Sequence, residues 1–232
     1  MQDDTPQSVE TSAEKTGAEK TGAEKAGGWR GSRALWLDAA RAAFEESGLD
    51  AVKIQPLAAR LGLARTSFYW FFADRAALLD ALLELWEAGN TGSLVAATER
   101  YSETVQEAVL NLIGIFLEDG PFGAGFERAV RGWAHGDPAV AARVNAADAA
   151  RLRAIRAMFA RFGFAEGEAD VRARTVYLVQ IGYISMQVAE TMDLRMTRIP
   201  DYVKTFTGAG PAPAEMRRFA AAHGVHNPPA SG

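Results

Sequence analysis

From residue 30 to residue 206 the apolar residues recur with a helical period, and no stretch sustains the alternation of a half-buried strand. That pattern predicts an all-α fold. The flanks differ. Residues 11–25 read TSAEKTGAEKTGAEK, a pentapeptide repeat without a large apolar residue. Such a segment cannot bury enough surface to offset its ordering entropy, so residues 1–29 are expected to be a disordered tail. Residues 207–232, rich in proline, glycine and alanine, are expected to be a flexible tail.

Start and stop signals divide the middle into nine or ten helices. Ser32 caps a first helix that runs to Ser47, before Gly48, and its apolar stripe holds Trp36, Leu37, Ala40, Ala43 and Phe44. Two short helices follow, over 54–61 and 65–71. The next begins near Asp74 and carries Leu78, Leu82, Leu83 and Trp86 until Gly89-Asn90-Thr91-Gly92 kinks or stops it. Longer helices are expected over 103–118, 122–135, 138–162 and 167–194, with a last short one over 201–206 after Pro200. Asp137-Pro138 is a strong start signal, because aspartate caps and proline suits the first helical position. GPFGAG at 120–125 lacks a phosphate-loop lysine and a preceding strand, so it reads as a loop and a helix start.

The chemistry available is narrow. There are no cysteines and three histidines, His135, His223 and His226. Thiolate metal sites, disulfides and cysteine nucleophiles are excluded, a histidine-rich zinc site is not expected, and no cofactor is called for. With no glycine-framed serine nucleophile either, the chain is not expected to be an enzyme. It has no run of eighteen apolar residues and no apolar stretch at its acidic N-terminus, so a cytoplasmic address and no membrane partner are expected. Net charge is −4, so a nucleic-acid function must come from a local motif.

Residues 54–72 supply one. Two short helices joined by a tight turn cross closely. The first then needs a small residue and the turn needs one tolerant of a left-handed conformation. Ala58 and Gly62 meet those needs. Leu57, Leu61, Leu63, Phe68 and Phe71 fall on inner faces, which leaves Arg65, Thr66, Ser67, Tyr69 and Trp70 outside or at the start of the second helix. This is a helix-turn-helix pattern.

The stretch WLDAARAAFEESGLDAVKIQPLAARLGLARTSFYWFFADRAALLDAL resembles the N-terminal domain of the tetracycline-repressor (TetR) family of bacterial regulators, over about residues 36–83. The resemblance implies an N-terminal three-helix DNA-binding domain, here 30–75. It also implies a larger helical C-terminal domain, here 76–206, that binds a small molecule and forms a homodimer. By the family pattern Lys53, Arg65, Thr66, Ser67, Tyr69, Trp70 and Arg75 contact operator DNA, Arg75 through phosphate. Three positions depart from that pattern. Ala64 stands at the usual serine cap, Thr66 where glycine is common, and Lys53 in place of a hydroxyl cap. Residues 50–75 carry only +2, which predicts modest non-specific affinity.

The C-terminal half is rich in large apolar residues. Phe116, Phe126, Trp133, Met158, Tyr177 and Met186 are the expected lining of a cavity for an apolar effector. Five arginines on the 138–162 helix, Arg143, Arg151, Arg153, Arg156 and Arg161, read as a solvated flank. The dimer is expected to use helices 138–162 and 167–194, with small Ala173, Gly182 and Ser185 and apolar Val176, Tyr177, Val179 and Ile184. The implied function is a ligand-responsive repressor released from a palindromic operator. The alternatives are a protein of this fold acting through protein contacts without DNA binding, and an enzyme on a helical scaffold.

Overall fold

The computed structural model describes residues 31–118 and 120–225. Among them are eleven α-helices and no strand: α1 Arg33–Ser47, α2 Ile54–Leu61, α3 Arg65–Phe68, α4 Arg75–Trp86, α5 Gly92–Glu99, α6 Val105–Gly114, α7 Ala124–Ala134, α8 Pro138–Arg161, α9 Glu166–Ser185, α10 Met192–Thr207 and α11 Pro213–Ala222. The first tail, His226 and the end of the second tail lie outside the described residues.

The start signals act as expected. Ser32, Asp74 and Thr104 each accept a hydrogen bond from the backbone N–H three residues on, and Asp137 caps α8 in front of Pro138. The 89–92 segment does not stop the chain. It forms one turn of π-helix over Glu87–Thr91, in which the Gly92 N–H reaches back five residues to the Glu87 carbonyl, and α4 continues into α5. A Cβ on Gly89 would lie 2.9 Å from the Pro121 carbonyl oxygen, so glycine there lets the 120–125 loop pack on the bulge.

Three expectations need correction. The expected 167–194 helix ends at Ser185, because Gln187 takes a left-handed conformation (φ 52°). The Val188 N–H bonds to the Tyr183 carbonyl and the Gln187 N–H to that of Ile184, a Schellman cap built without glycine. The last helix of the middle does not wait for Pro200. α10 runs through it, and burial of Met196, Ile199, Val203 and Phe206 offsets the missing N–H. The flexible tail begins later than expected. Pro213–Ala222 is a helix that buries Met216, Phe219 and Ala220 against α6, and His223 lies at its end.

Two cores result. One joins Trp36, Phe44, Leu57, Phe68, Leu78, Leu82 and Trp86 of α1–α4 to Phe126 and Val130 of α7 and Val140 and Val144 of α8. The other is built from α5, α6, the later half of α8, and α9–α11. The first core crosses the sequence boundary at 75. Phe44 of α1 meets Phe126 and Trp133 of α7 edge-on, at 6.3 and 5.9 Å. Helix α7 therefore grips the helix-turn-helix unit directly.

Candidate nucleic-acid interface

Helix α2 ends at Gly62 (φ 64°, ψ 28°), the left-handed conformation the turn requires. The Leu63 N–H bonds to the Ala58 carbonyl at 2.9 Å and the chain turns sharply into α3. Helix α3 is a single turn. Ala64 offers no side-chain cap. Instead the Ser67 hydroxyl donates to the Ala64 carbonyl at 2.7 Å. Phe68 holds α3 down. It is fully buried, edge-on to Trp36 at 5.3 Å and stacked on Phe72 at 5.4 Å.

The expected contact residues separate into three groups. Lys53, Arg65, Thr66, Tyr69 and Trp70 are exposed, with Tyr69 and Trp70 49% and 66% accessible. An Arg65 guanidinium nitrogen lies 3.3 Å from the Tyr69 hydroxyl, so these two side chains stand together one turn apart. Ser67 departs from the expectation. It is buried, its hydroxyl is engaged inside α3, and it does not share the outward face. Arg75 is partly buried and donates through Nε to the Val52 carbonyl and through a terminal nitrogen to that of Leu49 at 2.9 Å. It ties the α1–α2 loop, and with it Lys53, to the start of α4. Arg60 is paired in bidentate fashion with Glu46 and adds no free charge.

At the far end of α4 lies a buried polar cluster that sequence reading missed. Glu127 of α7 and Arg151 of α8 are both fully buried. The Glu127 carboxylate accepts from Trp86 Nε1 at 2.7 Å, Asn90 Nδ2 at 2.8 Å, Arg131 Nε at 2.8 Å and Arg151 at 2.7 and 3.2 Å. Arg151 also donates to Thr91 Oγ1 and the Tyr177 hydroxyl, and Tyr177 donates to Asp148 at 2.6 Å. Burial by itself would raise the Glu127 pKa. The adjacent Arg151 charge and the hydrogen bonds outweigh it and hold the carboxyl below its ordinary value. Burial pushes the Tyr177 phenol upward, against the pull of Arg151. Arg151 is thus no part of a solvated flank. Nothing in a helical arginine row marks the member that turns inward.

The residues expected to line an effector cavity scatter. Met158 is fully buried in the second core, Phe126 and Trp133 pack on α1, Tyr177 belongs to the ionic cluster, and Met186 is 78% exposed. Only Phe116 borders a cleft. The cleft, of about 350 Å³, lies between α7, the end of α9 and the 186–191 loop, and it shares Gln180, Tyr183, Glu190 and Arg195 with a narrow arm of about 20 Å³ along α6 and α10. Its lining mixes polar and apolar surface in near-equal parts and includes charged side chains, not the aromatic and methionine surface expected. Of the expected dimer residues, Ala173, Val176 and Tyr177 are buried within the chain, Val179, Gly182 and Ile184 are half-buried and Ser185 is exposed. The exposed large apolar residues of α9 are Val171 and Leu178, which were not among those expected.

Helices, turn and outward face define an all-helical protein with an N-terminal helix-turn-helix unit and a larger helical C-terminal unit. Residues 37–82 match the family of bacterial regulatory proteins, tetR family. The chain is 32% identical over 76 residues to the class D tetracycline repressor protein of Escherichia coli and to the class H protein of Photobacterium damsela subsp. piscicida. Each match covers 32% of this chain and 35% of the relative, so it spans about a third of the curated relatives' length. In fold the chain is similar to Salmonella enterica GusR (TM-score 0.59, 14% identity, 76% of this chain and 93% of that one). It is also similar to Mycobacterium smegmatis AmtR (TM-score 0.57, 20% identity, 88% and 99%). Residues 37–82 thus match the tetR family of bacterial regulatory proteins where the sequence motif implied it, and the helical architecture extends over both units.

Proposed function

We propose that the chain is a ligand-responsive, dimeric DNA-binding transcriptional regulator, a repressor that leaves a palindromic operator when a small molecule enters the C-terminal cleft. The observation that carries this reading is the exposed set Arg65, Thr66, Tyr69 and Trp70 on and just after α3, with Lys53 exposed at the start of α2. A one-turn helix held rigidly by Phe68 and standing proud of the surface suits a major groove. Arg65, at its N-terminal end, is placed to read a base edge. Tyr69 adds a hydroxyl for phosphate and a ring for a thymine methyl.

Coupling has a physical route in α7, where three consecutive residues face three functions. Phe126 packs on α1, Glu127 anchors the ionic cluster at the π-bulge, and Arg128 borders the cleft. A ligand that shifts α7 moves the helix-turn-helix unit by direct contact, beside the covalent route along α4. Coupling of about 1–3 kcal/mol is typical of such systems.

Two measurements test the reading. Titration on a selected operator and a scrambled duplex at several salt concentrations should show Arg65→Ala losing about 1–3 kcal/mol of discrimination at one position per half-site. Lys53→Ala should weaken all sequences alike and lower the salt slope by about one. Arg75→Ala should lower affinity together with the melting temperature, since its donors hold the α1–α2 loop. If none of the three altered affinity, the proposed interface would be wrong. Light scattering should give twice the chain mass, with α8 and α9 of each protomer forming a four-helix interface over Val171 and Leu178. Leu178→Lys should shift it toward monomer, and a wild-type monomer at micromolar concentration rules the dimer out.

A further inference from the structure

The cleft holds an unusual set of groups. Glu190, on the loop that the Gln187 turn directs back over α9, has a side chain only 10% accessible. One of its carboxylate oxygens pairs with Arg198. The other, Oε2, is buried and has no hydrogen-bond partner among the described residues. A buried charged acceptor without a donor is unfavourable by a few kcal/mol, so an N–H or O–H brought by a ligand would be bound strongly there. Two cations border the same space. Arg195 of α10 stacks over the Tyr183 ring at 5.0 Å and Arg128 reaches in from α7, and neither has a carboxylate within 4.0 Å among the described residues. With Arg198 neutralising Glu190, Arg128 and Arg195 leave the cleft two positive charges in excess. Phe116 and Ile184 supply an apolar wall of the cleft, and Ile113 and Leu117 line its narrow arm. The buried Gln180 amide and the hydroxyl pair Tyr183–Tyr202, 2.9 Å apart, complete the lining.

We infer that the cleft binds a small organic carboxylate that carries a hydrogen-bond donor next to the acid group and an apolar body, as in an amino acid or a hydroxy acid. The carboxylate sits between Arg195 and Arg128, the donor meets Glu190 Oε2, and the apolar part lies on Phe116 and Ile184. A ligand lacking the anion leaves both arginines unpaired, and one lacking the donor leaves the carboxylate oxygen unsatisfied. The site thereby selects both ends of the molecule. This inference rests on the proposed effector-responsive reading and replaces the apolar effector expected from composition.

The test uses full-length protein without DNA and four probes that share a phenyl group: phenylalanine, phenyllactate, phenylpropionate and phenethylamine. Calorimetric titration should give binding of phenylalanine or phenyllactate at least about tenfold tighter than of the two truncated probes. Which of the first two leads distinguishes an amine from a hydroxyl donor. Glu190→Gln should bring the better probe down to the phenylpropionate level. Arg195→Ala, or Arg128→Ala at its exposed helix position, should bring it toward phenethylamine. Equal binding of phenylpropionate, unchanged binding in all three variants, or no binding of any probe at millimolar concentration would overturn the inference. Operator binding is read separately by gel shift. Ligand binding without operator binding would sink the regulator reading and leave the site standing. Operator binding without probe binding would do the reverse.

Discussion

Replacing Glu127 by leucine is expected to destabilise the fold by about 3–5 kcal/mol, the range for removing one partner of a buried ion pair. Four donors converge on this carboxylate, from Trp86, Asn90, Arg131 and Arg151. Leucine fills much of the volume but leaves the fully buried Arg151 cation without its main counter-charge and the Trp86 N–H without an acceptor. Urea unfolding measures the loss directly. For a chain of this size the melting temperature should fall on the order of 10 °C. The wild type should also carry a pH signature that the variant lacks. The Glu127 pKa lies below its ordinary 4.5 in the folded protein, so the unfolded chain binds the proton more tightly. The contribution is fully present above that ordinary value and is lost as pH falls through the lowered one. Equal pH dependence in wild type and variant, or a loss under about 1 kcal/mol, would show that the cluster is not a keystone of the fold.

The second large effect is expected at Phe68. Phe68→Ala removes a fully buried ring that contacts Trp36, Tyr69 and Phe72, for an expected loss of about 3–5 kcal/mol. Because α3 is one turn long and lacks a side-chain cap, this ring is its main attachment. Operator affinity should therefore collapse together with stability. Arg65→Ala is the control. It is exposed, so its stability should stay within about 0.5 kcal/mol of wild type while its discrimination falls. If Phe68→Ala kept full operator affinity, α3 would not be the reading element. The shared first core adds a second expectation. Phe68→Ala should lower a single cooperative transition and not release an independently melting N-terminal domain, because α7 and α8 belong to the same core as α1–α4.

Local signals were legible wherever a residue acts on its own backbone. Ser32, Asp74 and Asp137 cap because their side chains reach the N–H groups of the next turn whatever surrounds them. Gly62 turns because it alone lacks the Cβ that resists a left-handed conformation. Those signals, with the helical period, determined the all-α class, the helix-turn-helix and the exposed set of Arg65, Thr66, Tyr69 and Trp70, while Lys53 was singled out by the family resemblance. Ser67 was misplaced because α3 is too short for a helical wheel to settle its face. The run of proline, glycine and alanine after residue 206 concealed α11, whose order comes from Met216 and Phe219 docking on α6 and not from propensity.

What the tertiary structure alone decided is where distant side chains meet. Arg151 and its neighbours Arg153 and Arg156 have the same local preferences. Arg156 meets Asp170 of α9 at the surface, and only the packing of α7 against α8 puts a carboxylate beside Arg151 and buries the pair. The cleft is assembled from Phe116, Arg128, Tyr183, Glu190 and Arg195, and Glu190 reaches it through a left-handed turn at a glutamine, a residue type that gives no warning of one. Periodicity identifies which residues are apolar and which are on a common face. It holds no information on which faces are opposed, and the chemistry of a cleft is a property of opposed faces.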